Sequence, residues 1–224
     1  MFLTPVTLNS PLLALSQKES FYEKAKFNMP LKQDTVCFGA KFPSNKILLA
    51  QLKQIPYSDI RILNPKIKEK KTVRIYEKLD ELGKKLIPTK AIMTTIQCKN
   101  SENKPYQGLF VFSQEGKLLG HIQVLNTQQY SCHLRLLDLD ASYSKKYKKV
   151  GTALINEAIE KSKQWGFNGN LKVIAHNHLI DRQHRGSPIP FYIRKGFKPD
   201  CPRVDLEKLI ANNWWVDMTY THNK

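Results

Sequence analysis

Residues 136–154, LLDLDASYSKKYKKVGTAL, decide the fold, because an apolar strand runs there through a basic loop directly into a helix. The N-terminus of a helix points several N–H groups outward and carries about half a positive charge. Gly151 and Ala153 leave the main chain bare at this N-terminus, so that it can hold a phosphate. Four lysines add a positive field, namely Lys145, Lys146, Lys148 and Lys149. The loop is therefore predicted to bind an anion, although a strand-to-helix connection with solvated lysines explains the spacing equally well.

The composition is that of a folded and strongly basic protein. The 224 residues include 36 Lys and Arg against 19 Asp and Glu, for a formal net charge of +17. A hydrophobic content of 41% excludes wholesale disorder, and no run of about 18 apolar residues is present to span a bilayer. The four cysteines are scattered without a C-x-x-C pair: Cys37, Cys98, Cys132 and Cys201. A chain of this length needs no disulfides, so we expect a cytoplasmic location.

The N-terminal half is predicted to contain an extension and two helices. Residues 1–45 lack helical or strand periodicity, which indicates a flexible N-terminal extension before a domain over 46–224. Apolar spacing predicts helices over 44–55 and 72–86, the second ending at Pro88. The charged run over 66–71 is interpreted as a solvated connector between them.

Strand periodicity begins after Ala91 and continues to the end of the chain, interrupted by two helices. Four strands are predicted as an antiparallel meander, at 92–98, 106–112, 118–125 and 133–143. They are followed by a helix over 150–165, a strand at 171–175, a helix over 187–196 and a strand at 214–220. This order predicts an α/β (α+β) layer architecture.

Three motifs in the second half occur in a recognisable order. They are Lys148-x-x-Gly151-x-Ala153, then Leu171-x-Val173-x-x-x-Asn177, then the stretch FYIRKGF from Phe191 to Phe197. Together they resemble the R/Q-x-x-G-x-G/A signature, the fifth strand and the helix end of the GCN5-related N-acetyltransferase (GNAT) superfamily, over roughly residues 118–220. The resemblance implies a GNAT-like central sheet, mixed and mostly antiparallel, flanked by helices. It also implies an acetyl-CoA-dependent N-acetyltransferase that transfers acetyl to an amine acceptor by direct attack.

The resemblance further implies a role for each matching residue. The pyrophosphate of acetyl-CoA would rest on five main-chain positions, with Lys148 beside them: Lys149, Val150, Gly151, Thr152 and Ala153. The pantetheine arm would pair with backbone groups of Tyr143 and Lys145 and contact Asn177. Tyr192 would be the general acid that protonates the departing thiolate. Asp140, which we place on one face of its strand with Asp138, is the candidate general base.

The chain departs from the family pattern in places that bear on affinity and substrate. Lys148 replaces the usual Arg or Gln, and it keeps the charge but loses the bidentate fork. The first half of the chain does not match the family's first strand and two helices. Because that half normally shapes the acceptor pocket, the resemblance leaves the acceptor open as a small molecule or a protein.

Two other readings of the sequence compete with this one. A histidine-rich segment suggests a metal, but its spacing is not that of a closed zinc site and no cysteine accompanies it, so we predict no metal site. Its members are His176, His178, Asp181 and His184, which could instead orient or deprotonate an amine. The net charge of +17 is compatible with a nucleic-acid or ribosome-associated module, or with nonspecific nucleic-acid contact by an enzyme. A catalytically inactive CoA-binding relative is a third alternative.

Three further side chains are expected to have no part in the site. His121 and His133 are interpreted as ordinary strand residues. Glu157 is interpreted as an exposed carboxylate on the helix that follows the basic loop.

Overall fold

A computed structural model of the chain describes residues 42–55, 62–80, 82, 84–99, 105–125, 132–141, 143–176, 188–202, 208 and 215–222. All of these residues belong to one compact unit, Ala40–Lys224. The predicted flexible extension and its boundary with the domain at residue 46 remain predictions, because residues 1–41 lie outside the described residues.

The described residues form three α-helices, one 3-10 helix and nine strands. The helices are α1 (Asn45–Gln51), continued by the 3-10 helix Leu52–Gln54, then α2 (Val150–Gln164) and α3 (Ile189–Arg194). The first five strands are β1 (Leu63–Lys78), β2 (Leu86–Lys99), β3 (Pro105–Phe112), β4 (Leu118–Leu125) and β5 (Leu134–Asp140). The other four are β6 (Tyr147–Lys148), β7 (Leu171–His176), β8 (Lys198–Pro199) and β9 (Trp215–Tyr220).

These strands make one sheet in the order β6-β1-β2-β3-β4-β5-β7-β9-β8. Neighbouring strands are antiparallel except for β5 and β7, which are parallel and joined by the crossover through α2. The predicted central mixed, mostly antiparallel sheet flanked by helices is confirmed. In the part of the chain that the structure describes, no helix is both long and apolar enough to cross a membrane.

Each face of the sheet has its own hydrophobic core. On the α2 face, Leu154 and Ile155 of α2 pack with strand residues such as Ile122. On the α1 face, Leu48 and Leu52 pack with strand residues such as Phe110. The two cores fix which side chains of each strand point toward which set of helices.

The locally encoded elements of the second half agree with the sequence prediction. The strands predicted at 106–112, 118–125, 171–175 and 214–220 and the helix at 150–165 are present with small shifts of their ends. The helix predicted over 44–55 is also present, and the Ser44 hydroxyl caps it by accepting the Ile47 N–H at 3.4 Å. The strand predicted at 133–143 ends earlier, at Asp140.

The prediction of a helix over 72–86 is wrong. This segment instead ends β1 and turns into β2, and the two strands pair from Leu63 opposite Lys99 to Lys78 opposite Leu86. The apolar stripe that suggested a helix is not a buried face, since Ile75 is fully buried but Leu82 is 78% exposed. Thr72, Val73, Ile75 and Tyr76 favour a strand through their β-branched and aromatic side chains.

Pro88, which was expected to end that helix, lies inside β2 opposite Tyr76. The pairing of β2 with β3 starts further along the strand, at Ile92 opposite Phe112. Pro88 therefore occupies a stretch that pairs with β1 alone among the described strands, where a missing N–H is tolerated.

The charged run over 66–71 is not a connector but the middle of β1. On the side of β1 that faces α2, Glu69 and Lys71 precede the apolar Val73 and Ile75. Alternation along the strand thus places charge at one end of the contact with α2 and apolar side chains at the other. The charges are there because α2 supplies their partners.

Those partners are Glu157 and Lys161, which are buried on α2. Glu157 is only 4% exposed, which corrects the expectation of an exposed carboxylate, and its Oε2 lies 2.5 Å from Lys71 Nζ. Lys161 Nζ lies 2.5 Å from Glu69 Oε2 and 4.0 Å from Glu157 Oε1. The hydrogen bond from Lys161 holds the pKa of Glu69 below its ordinary value of 4.5. The stabilisation from this ion pair is present above that value and is lost as the pH falls through the lowered pKa.

We expect Glu157→Gln to destabilise the fold by about 2 to 4 kcal/mol, because it leaves Lys71 without its partner and the buried Lys161 with less opposing charge. The matched control is Glu160→Gln on the same helix, which breaks the exposed pair with Lys163 and should cost less than about 1 kcal/mol. Urea unfolding of both variants measures the difference. Equal losses in the two variants would show that the buried pair does not hold β1 to α2.

Candidate active site

The central feature of the site is a gap between the parallel strands β5 and β7. Their described pairing runs from Leu134 opposite Leu171 to Leu136 opposite Val173 and stops there. Both strands continue, β5 to Asp140 and β7 to His176, without pairing to each other. The edges that face this gap carry main-chain N–H and C=O groups available to a ligand that runs between the strands.

A β-bulge in β5 redirects its side chains toward the end of the strand. Opposite β4, Leu137 pairs with Gln123 and Asp140 pairs with His121, so β5 has one extra residue in this interval. Before the bulge Leu136 packs into the core on the α2 face, and after it Leu139 does so. The extra residue thus turns Asp140 to the other face of the sheet, the α1 face, opposite His121.

Gly120 on β4 has no side chain and therefore allows the end of β5 and the start of α2 to approach β4 closely. A Cβ at this position would lie 2.8 Å from the Asp140 carbonyl oxygen and 2.8 Å from Val150 Cγ1 of α2. A side chain there would push β5 and the start of α2 away from β4. Gly120 therefore fixes the place where the gap meets the N-terminus of α2.

The basic loop before α2 is held against β1 by the two-residue strand β6. Lys148 pairs with Tyr76 and Tyr147 with Glu77, and the Lys78 N–H donates to the Lys146 carbonyl at 2.9 Å. The Lys146 ammonium lies 2.5 Å from a Glu77 carboxylate oxygen, and this hydrogen bond raises the pKa of Lys146. Of the loop lysines, Lys146 is therefore neutralised by the protein itself.

Lys149 makes the turn from β6 into α2 with a left-handed backbone, at φ 64°. A non-glycine residue in this conformation costs roughly 1 kcal/mol. Its ammonium lies 4.1 Å from the centre of the Tyr76 ring, in cation–π contact. The contact offsets part of the strain and holds the charge beside the first turn of α2.

The first turn of α2 leaves its N–H groups outside the hydrogen-bond ladder. The Ala153 N–H is the first to donate within the helix, to the Lys149 carbonyl at 3.0 Å. The N–H groups of Val150, Gly151 and Thr152 precede that bond. Lys148 and Lys149 are exposed around them, as is Lys145 in the preceding turn.

Packing, as well as ligand binding, explains why residue 151 is a glycine. A Cβ built on it would lie 3.1 Å from Phe191 Cζ and 3.5 Å from Ala141 Cβ. The glycine thus lets α3 and the end of β5 contact the N-terminus of α2. The sequence argument, which used Gly151 only to expose backbone, did not include this constraint.

Positive charge also reaches the loop from the end of α3. Burial lowers the pKa of Lys195, and the positive charges of Lys149 and Arg194 lower it further. The mutual repulsion of Lys195 and Lys149 shows that their ammonium groups lie in one region. A bound anion would relieve this repulsion.

Tyr192, the predicted general acid, lies on α3 with only 5% of its surface exposed. Its ring makes edge contacts with Phe191 and Phe197, at centroid distances of 5.3 and 5.2 Å. Tyr192 belongs to the core on the α2 face, whereas Asp140 points to the α1 face. The two predicted catalytic residues therefore approach the sheet from opposite sides.

A buried histidine on the α1 face was not recognised from the sequence. His121, interpreted as an ordinary strand residue, is 3% exposed and lies opposite Asp140. Its Nδ1 is 3.3 Å from the hydroxyl of Tyr143, the residue just beyond the end of β5. A histidine in a mostly apolar strand was the available signal, but only the bulge brings these three side chains together.

Several predicted site residues lie outside the described residues. They are Asn177, His178, Asp181 and His184, and the side chain of His176 is likewise not described. Among the residues that are described, no group of three or more His, Cys, Asp or Glu side chains is placed to hold a metal ion.

Comparison with known proteins identifies the family. The profile of the acetyltransferase (GNAT) family matches residues 73–182, which include the gap, the basic loop and α2. Residues 73–182 belong to the GNAT superfamily. For this GNAT protein the general activity is therefore acyl transfer from an acyl-CoA.

Solved structures similar to this GNAT protein include three chains of low sequence identity. Nourseothricin acetyltransferase is 17% identical, over 73% of this chain and 98% of that one, with a TM-score of 0.40. Escherichia coli ElaA is 12% identical, over 55% and 74%, with a TM-score of 0.39. An acyl-CoA N-acyltransferase from Pseudomonas aeruginosa is 13% identical, over 53% and 70%, with a TM-score of 0.37. No curated protein sequence matches the chain.

We expect Gly151→Val to destabilise the GNAT protein by about 1 to 3 kcal/mol, because its side chain overlaps Phe191. Phe191→Leu, which shortens the side chain in contact, should recover part of this loss in the double variant. Urea unfolding of the two single variants and the double variant measures the coupling. Strictly additive losses would mean that Gly151 and Phe191 do not contact each other as described.

Proposed function

We propose that this protein is an acetyl-CoA-dependent N-acetyltransferase that transfers the acetyl group to an amine acceptor by direct attack. The observation that carries the proposal is the gap between β5 and β7, which opens beside the first turn of α2. A ligand with an anionic head and a long polar arm fits this arrangement, because main-chain N–H groups lie at one end and unpaired strand edges along the other. Acetyl-CoA has that shape and supplies the thioester.

The donor's pyrophosphate would rest on the main chain of residues 149–153 in this proposal. Val150, Gly151 and Thr152 would contribute the N–H groups that precede the helix ladder. Lys148, Lys149 and Lys195 would supply the charge, while Lys146 is already paired with Glu77. Backbone groups of Tyr143 and Lys145, and Asn177, would bind the arm.

Tyr192 is the proposed acid for the departing thiolate, and Asp140 the proposed acceptor of the amine proton. A buried phenol keeps its proton at neutral pH and can donate it to a developing thiolate. Asp140 is half-buried at the end of β5, on the face opposite that of Tyr192. An acceptor that enters from the α1 face would thus meet the thioester in the gap between the two groups.

The cellular setting in this proposal is the cytoplasm, and the acceptor is an amine on a small molecule or a protein. The free thiols of Cys98, Cys132 and Cys201 support a reducing compartment. Nonspecific contact with nucleic acid through the basic surface remains part of the proposal, on the strength of the net charge of +17.

We expect acetyl-CoA and CoA to raise the thermal unfolding temperature, as binding to the folded state adds about 2.7 kcal/mol at 100 times Kd. Lys195→Gln should weaken CoA binding several-fold, and less so at high salt, because it removes a charge beside the helix N-terminus. The matched control is Lys66→Gln, an exposed lysine at the far end of β1, which should bind CoA as the wild type does. Both are measured by calorimetry and thermal shift. No stabilisation of the wild type by CoA would refute the proposal.

We expect Tyr192→Phe to lower kcat by about 10² while leaving CoA affinity nearly unchanged, because only the proton donor is lost. Free-thiol release from acetyl-CoA in a screen of primary alkylamines and lysine peptides measures the rate. Tyr106→Phe is the control, as Tyr106 is buried in the core on the α1 face within β3. A wild type that binds CoA but acetylates no amine would instead be an inactive relative. An unchanged rate for Tyr192→Phe would remove Tyr192 from the mechanism.

A further inference from the structure

We propose that Tyr143 and His121 form a proton relay, in which the Tyr143 hydroxyl takes the proton of the acceptor ammonium and passes its own to His121. This inference rests on the proposed function, and it assigns to a buried histidine a step that the resemblance to the family left to Asp140. In this inference Asp140, proposed above as the acceptor of the amine proton, is instead the charged residue opposite the histidine.

The first observation is the hydrogen bond between the two side chains. His121 Nδ1 lies 3.3 Å from the Tyr143 hydroxyl oxygen, and the rings are 5.7 Å apart. His121 also stacks on Phe110, at a centroid distance of 5.9 Å. Because β3 and the segment after β5 hold the ring from two sides, the imidazole has a fixed orientation.

The second observation is the position of the pair relative to the gap. His121 lies opposite Asp140, the last residue of β5, in the stretch where β5 no longer pairs with β7. Tyr143 follows within three residues, before the basic loop. Tyr143 is thus attached to the end of β5 that borders the gap, and the relay requires the acceptor amine to reach its hydroxyl from the α1 face.

The third observation is the difference in burial between the two partners. His121 is 3% exposed, whereas Tyr143 is only half-buried. An acceptor can therefore contact Tyr143 but not the imidazole behind it. A proton reaches His121 through the phenol, and this defines the direction of the relay.

The fourth observation is the charge opposite the imidazole. Directly opposed residues of antiparallel strands have Cβ atoms about 4.5 to 5.5 Å apart, and His121 and Asp140 are such a pair. The titratable groups that face His121 in the described residues are Asp140 and Tyr143. From β3 it meets the ring of Phe110, which carries no charge.

Two protons leave the acceptor nitrogen during the reaction. The acceptor ammonium gives one proton to the Tyr143 oxygen, the Tyr143 hydroxyl proton moves to His121 Nδ1, and the acceptor becomes a neutral amine with a free electron pair. The amine nitrogen then bonds to the thioester carbon, and the carbon–sulfur bond breaks. Tyr192 protonates the thiolate and regains a proton from the second one that the nitrogen loses, and the imidazolium afterwards releases its proton to water.

The test compares two amines that differ in whether they must lose a proton before attack. Benzylamine is protonated at neutral pH and needs the relay, whereas aniline is already neutral and does not. We expect His121→Asn to lower kcat/KM for benzylamine by about 10², and to leave that for aniline within about a factor of two. Asparagine keeps an oxygen near the Nδ1 position that can accept from the Tyr143 hydroxyl, but it cannot take up the proton.

The pH profile adds a readout that a purely structural role would not move. Only a neutral imidazole accepts a proton, so the wild-type kcat/KM for benzylamine should show a rise with pH beyond the one that deprotonation of the amine alone produces. In His121→Asn that rise should disappear and leave only the deprotonation of the amine itself. Tyr143→Phe, which keeps the ring and removes the hydroxyl, should have the same profile. The double variant should be no slower than either single one.

Two controls separate the possible failures. His133→Asn, at the residue just before β5, should leave the profile unchanged, and CoA-dependent thermal stabilisation of every variant should match that of the wild type. The relay is refuted if the variants retain the wild-type pH profile with benzylamine, or if kcat/KM for aniline falls as much as that for benzylamine. The proposed acetyltransferase function is unaffected by either result. If the wild type acetylates neither benzylamine nor any other alkylamine of the acceptor screen, the proposed function fails and the relay with it.

Discussion

The loss of pairing between β5 and β7 is the constraint on which the rest of the site depends. Their pairing ends at Leu136 and Val173, although both strands continue. Hydrogen bonding would otherwise have closed the sheet and left no space between the strands. The bulge in β5 and the close approach at Gly120 bring the end of the strand over β4 and onto the start of α2. The position of the helix N-terminus relative to the gap follows from these contacts.

A second set of contacts, made by β1, holds the basic loop in place. The buried pair of Glu157 with Lys71 fastens β1 to α2, and β1 in turn pairs with β6, which forms part of the loop. Tyr76 of β1 then holds the Lys149 side chain at the left-handed turn. The long first hairpin, which replaces the helix predicted over 72–86 from apolar spacing, thus also serves the donor site. Its charged residues pair with α2 on one side, and on the other side Lys70 donates to Asn45 of α1.

Sequence reasoning was successful where the signal is local and incomplete where it depends on distant partners. The helix after the basic loop and most strands of the second half were predicted because a single face of each is buried and sets the period. The helix over 72–86 was wrong because four apolar residues fell by chance on a helical period, and only the burial of Ile75 against α2 distinguishes the strand. The burial of Glu157 depends on Lys71, far away in the sequence. The contact of His121 with Tyr143 depends on one extra residue in β5, which no pattern in the sequence marks.

The central claim is that the first turn of α2 and the gap beside it hold the phosphates and arm of CoA. Titration of isotope-labelled protein with CoA, followed through the backbone amide resonances, tests this claim most directly. The account predicts the largest shifts at Val150, Gly151 and Thr152 and along the end of β5, with little change in α1. Saturable shifts confined to other parts of the chain, or none at Gly151 and Thr152, would contradict it.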